Sequence, residues 1–167
     1  MSQASLEGFL ALSRELTAFS TFELYGTGQA PAYFKTVVDV VGGQLLEELI
    51  EAHARISGSD PEARTAALRR QILGDAKFGP IARNIIKLWF AGVWYELPPA
   101  WSRQFGKRPR DTTFTVSASA YTEGLLWKTI GANPPGAKSP GYGSWADPPK
   151  IPVPGKRKEF LPLRGPR

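Results

Sequence analysis

Cysteine is absent from the 167 residues, and histidine and methionine occur once each. The missing cysteines exclude disulfides, iron–sulfur clusters, zinc–thiolate sites and cysteine nucleophiles together. The lone His53 leaves a serine nucleophile without the ordinary set of partners, because a Ser–His arrangement needs an aligned base held by a third group. Metal spacing fails as well: Ile50 stands three residues before His53, so neither HExxH nor Glu-x-x-His is present. His53 reads as a surface or helix-end histidine. Nucleotide motifs are missing too. Gly26-Thr27-Gly28 has Pro31 where a dinucleotide fingerprint needs its third glycine, and Gly106-Lys107 has Trp101 where a P-loop needs its first. Gly141-Tyr142-Gly143-Ser144 does not form GxSxG. Long apolar runs are also lacking. Arg83, Lys87 and Glu96 interrupt the most hydrophobic stretch, well short of the roughly 18 to 20 residues of a membrane span. Residues 1–20 carry Glu7, Arg14 and Glu15 in an amphipathic pattern, unlike the apolar centre of a secretory leader.

What is present is helical periodicity. Gly79 to Pro99, GPIARNIIKLWFAGVWYELPP, places Pro80 in a first turn and ends at Pro98-Pro99. Arg83, Asn84 and Lys87 form a polar stripe on its first half, while the second half is apolar almost all round and must be enclosed. Trp89, Phe90, Trp94 and Tyr95 read as core. Around this central helix, Ser5 caps a helix running to about Phe19, and Ser20 to Tyr25 adds a short helical turn. Pro31 opens a helix that bends at Gly42-Gly43 into a second one ending near Ile56. Asp60 or Ser59 caps a surface helix running to about Leu73. Trp101 and Phe105 anchor one more turn, and Lys107, Arg108 and Arg110 make a solvated basic loop. The TTFTVS stretch around Phe114 and Val116 is the only strand-like alternation, and a lone strand makes no sheet. Ser117 or Ser119 starts a last helix, with Tyr121, Leu125 and Leu126 inward and Gly131 as its stop. The fold class is therefore all-α: a compact helical domain around a buried central helix, residues 1–133.

Residues 134–167 are of another kind. They hold nine of the fifteen prolines and five glycines, and seven basic side chains against two acidic ones. The rest of the chain carries fourteen against thirteen, so the net charge of +6 sits mostly in this segment. Such a composition predicts an extended basic tail, yet Tyr142, Trp145, Phe160, Leu161 and Leu163 are anchor-type side chains that a merely solvating tail does not need. The tail is expected to wrap a partner.

Three segments in order carry a family resemblance: FLALSRELT (Phe9 to Thr17) followed by Tyr25-Gly26, ARNIIKLWFAGVWYELP (Ala82 to Pro98), and AYTEGLLWKTIGANPPGAKSPGYGSWADPP (Ala120 to Pro149). Together they resemble the small subunit of membrane-associated, FAD-dependent sorbitol and fructose dehydrogenases and of related gluconate or glucose dehydrogenases. Tyr121 to Trp145 is the most specific part. The resemblance implies a non-catalytic subunit with no cofactor of its own. FAD would sit in a large glucose-methanol-choline-type (GMC-type) partner subunit, from which electrons often leave through a multihaem cytochrome c subunit. It also implies a chaperone-like role in maturation and twin-arginine (Tat) export of the large subunit, hence a periplasmic location. No twin-arginine pair with an apolar run precedes Ser5, so a leader removed from the sequence is expected, with a cytoplasmic relative as the alternative. Partner contacts are expected at Trp127, Lys138, Tyr142, Trp145 and Phe160. The alternative to this role is an independent helical binding module whose basic tail takes an anionic partner.

Overall fold

Helix α1, Leu6–Thr17, begins where the Ser5 side chain accepts the Gly8 N–H, and ends at Ala18 in the left-handed region. Ser20 and Glu23 cap α2, Thr21–Gly26, reciprocally: each side chain takes the other's backbone N–H. Helices α3, Ala30–Val41, and α4, Gly43–Ala54, join at Gly42, the predicted bend. Asp60 caps α5, Pro61–Leu68, with Pro61 in the first turn as the sequence requires. The chain then widens into a π-helical turn, Arg69–Leu73, before α6, Phe78–Ala91. Helices α7, Pro99–Phe105, α8, Ala118–Thr122, and α9, Leu125–Ile130, follow, with a two-residue ladder of β1, Val93–Trp94, and β2, Phe114–Thr115. A computed structural model supplies these elements for residues 5–58 and 60–138. The described residues form an all-α helical domain.

Its core gathers Phe9, Leu12, Tyr33, Val37, Leu46, Leu49, Ile81, Ile85 and Trp89, all buried. Aromatic contacts lock the layers together: Tyr33 meets Trp89 edge-on with centroids 5.0 Å apart, and Phe9 stacks on the same indole at 6.3 Å. Helix α6 packs against α1, α3, α8, α9 and the π turn. Among the described residues no helix is long and apolar enough to cross a membrane, and no group of three or more His, Cys, Asp or Glu side chains is placed to hold a metal ion.

Four expectations are corrected. Helix α6 stops at Ala91 rather than running to Pro98, because Gly92 takes φ +68° and returns its N–H to Leu88. A side chain at Gly92 would also lie 2.6 Å from the Ala120 backbone, so the helix ends where another element crosses it. The freed Val93-Trp94 then supplies the partner that TTFTVS was expected to lack: Val93 pairs with Thr115 and Trp94 with Phe114, antiparallel. Second, the last helix is two short ones. Gly124 breaks it, and a Cβ there would lie 2.6 Å from the Phe90 carbonyl oxygen. As a result only Leu125 of the three expected inward residues is buried, while Tyr121 and Leu126 are exposed. Third, His53 is the helix-end histidine of the two alternatives, in the last turn of α4, and its side chain is buried rather than superficial. Fourth, Asn84 leaves the polar stripe for the interior, where its amide donates to the Tyr95 carbonyl at 2.7 Å and accepts the Tyr95 N–H at 3.3 Å. Held by its backbone, Tyr95 is 40 % exposed rather than core, with Lys87 over its ring.

Asp111 organises the segment between the two strands. Its buried carboxylate accepts the Trp94 indole N–H at 2.9 Å and the Leu97 N–H at 3.1 Å, which turns the chain out of β1 toward α7. The Trp101 indole donates to the Lys77 carbonyl at 2.8 Å and ties α7 to the start of α6.

Candidate partner-binding face

The face that collects predicted contact residues is built on the C-terminal end of α6. Gly92 and Gly124, by lacking side chains, let Ala120 of α8 approach Gly92 and the α8–α9 corner approach the Phe90 carbonyl. Leu125 points into the core, which turns Leu126, Trp127 and Ile130 toward the outside of α9. Gly131, left-handed at φ +67°, ends the helix, and the Ala132 N–H returns to the Trp127 carbonyl at 3.0 Å.

Trp127 is half-buried and fixed on two sides. Its indole donates to the Tyr121 carbonyl at 2.7 Å, and its ring meets that of Tyr121 edge-on at 5.3 Å. The Tyr121 hydroxyl in turn donates to the Pro135 carbonyl at 3.3 Å, which holds the turn leading to Lys138 against α8. Lys138 pairs with Glu123 at 2.5 Å. Across from α9 stands α2, linked by Lys128 to Glu23 at 2.5 Å. That lysine, and after it the backbone and hydroxyl of Ser20, holds the Glu23 carboxyl at about 2.

Between α2 and α9 lies an open groove of about 420 Å³, lined by the apolar Phe22, Trp127, Leu125 and Pro134 and by the ion pairs Glu23–Lys128 and Glu123–Lys138. Two expected contacts, Trp127 and Lys138, are brought together here. Tyr142, Trp145 and Phe160 lie outside the described residues. Phe22 was not anticipated, although it is 86 % exposed and the most exposed large apolar side chain described. Its sequence signal is weak: a six-residue helix that buries Leu24 must turn Phe22 elsewhere, but nothing local says where.

The arrangement offers shape, aromatic surface and paired charges. No protein-family model, curated protein or solved structure matches the chain.

Proposed function

We propose that this protein is a non-catalytic small subunit that grips the FAD-bearing large subunit of a sugar or polyol dehydrogenase and supports its maturation, stability and export to the periplasm. The partner is a GMC-type flavoprotein, of the kind from which electrons often leave through a multihaem cytochrome c subunit. Support comes first from the three ordered segments that resemble such small subunits. The observation that supports the reading further is that Trp127 and Lys138, expected as contacts from sequence, line one groove, and that the basic, proline-rich residues 139–167 come next in the sequence after Lys138.

In this reading α6 is the central helix on which the face is mounted, and residues 134–167 are a strap that extends the contact through Tyr142, Trp145 and Phe160. A stable interface buries about 1,600 Å² in total, and an extended segment enlarges it without enlarging the body. The rival reading, a module that takes an anionic partner by its basic tail, predicts binding that collapses with salt and does not need Trp127.

The test is co-expression with the GMC-type flavoprotein of the same organism, followed by size-exclusion chromatography of the full chain and of a version ending at Gly131. The full chain is expected to elute with the flavoprotein and the shortened one to separate from it. Equal retention of both would remove the strap from the account.

A further inference from the structure

A second cluster, remote in role from the groove, lies where α1, α4 and α5 meet. Glu15 of α1 accepts Arg64 Nε at 2.9 Å and Nη2 at 2.7 Å, and Arg64 Nη1 donates to the Ile56 carbonyl at 2.5 Å. His53 of α4 is 4 % exposed, and its Nε2 stands 3.3 Å from Glu15 Oε2 without a properly directed hydrogen bond. Arg14 of α1 brings another guanidinium to 4.0 Å from Glu15. These are the charged groups that act on the imidazole: Arg14 and Glu15 from α1, Arg64 from α5. One carboxylate thus already serves two arginines. A proton on His53 makes a third cation around one anion in a partly desolvated site.

Helix α5 has little else to hold its beginning. Leu68 at its far end is its buried residue, whereas Pro61, Glu62, Ala63, Thr65 and Ala66 are exposed. The Arg64 fork is the polar tie between the first turns and the body. An open pocket of about 240 Å³, lined by Arg14, Glu15, Ala18, Pro61, Arg64 and Thr65 among others, gives water a route to that tie.

We propose that His53 and Arg64 compete for Glu15, so that acidification releases the first turns of α5 from the body while the rest of the domain stays folded. Burial holds the His53 imidazole below its ordinary value of 6.5, against the pull of Glu15, so the closed form keeps the ring neutral. Opening α5 removes Arg64 and admits water, which raises the proton affinity of the ring. The closed form therefore loses ground as pH falls below about 6.5 and keeps its full advantage above it. Glu15 stays ionised through this window: burial raises its carboxyl, but the hydrogen bond and charge of Arg64 outweigh burial and hold it below the usual range, and a proton on His53 adds to that hold.

Because His53 is the only histidine, a single imidazole C2 proton reports its titration in the full chain. The test follows that signal and the backbone amides by NMR from about pH 7.5 to about pH 5. The expected result is a midpoint below 6.5, amide shifts in residues 62–67 that follow the same midpoint, and solvent exchange there that rises roughly tenfold beyond the intrinsic pH dependence while α3 stays protected. In His53→Gln the response of α5 should vanish. Amides of α5 that show no inflection at the His53 midpoint, or that respond equally in His53→Gln, would overturn the proposal. Should His53→Gln not fold, the titration of the unaltered chain still decides it.

Discussion

At the scale of single residues, the decisive positions are those where a side chain would collide or a charge would be stranded. Gly92 is the clearest, because a left-handed φ and a Cβ position 2.6 Å from the Ala120 backbone act together. Gly92→Ala is expected to cost about 2 kcal/mol or more, measured by urea unfolding, with loss of protection in α8 as the local signature. A variant as stable as the original would mean that α8 does not press on this turn. Glu23 makes a pH-dependent contribution. Its carboxyl sits at about 2 against an ordinary value of 4.5, so the stability it contributes is complete above pH 4.5 and is lost as pH falls toward 2. Lys128→Met should move the Glu23 midpoint upward in a carboxyl NMR titration. An unmoved midpoint would show that the α2–α9 ion pair does not form in solution.

At the scale of elements, Asp111 holds the irregular path between β1 and β2 by accepting from both Trp94 and Leu97. Asp111→Ala leaves these buried donors without partners and is expected to cost roughly 2 to 3 kcal/mol in thermal or urea unfolding. A loss within experimental error would mean that water replaces the carboxylate freely. Several helix starts were legible in the sequence because capping is local chemistry: Ser5 caps as expected, and of the paired candidates Asp60 and Ser117 are the ones that cap, whereas the reciprocal cap of Ser20 and Glu23 was not anticipated. Helix ends were less so. A single glycine inside a helical pattern costs only about 1 kcal/mol, so Gly92 and Gly124 are readable as interruptions only once the element that crosses them is known. The strand pair was hidden for the same reason, since Val93 and Trp94 fit a buried helix or a strand equally well. The sequence placed His53 at a helix end but could not show its burial, because Glu15 beside it belongs to another helix.

At the scale of the whole molecule, the candidate face is a product of long-range packing. Lys128 and Glu23 stand 105 residues apart in the chain, so the sequence named Trp127 and Lys138 but could not set Phe22 beside them. The central claim is that the chain works by gripping a flavoprotein and performs no reaction itself. The most direct measurement is the visible flavin absorbance across a size-exclusion run of the full chain co-expressed with the GMC-type large subunit of the same organism. The account predicts one peak that contains both polypeptides and the flavin, and no flavin on this chain expressed alone. A flavin peak that leaves this chain behind, or flavin bound to this chain in isolation, would contradict it.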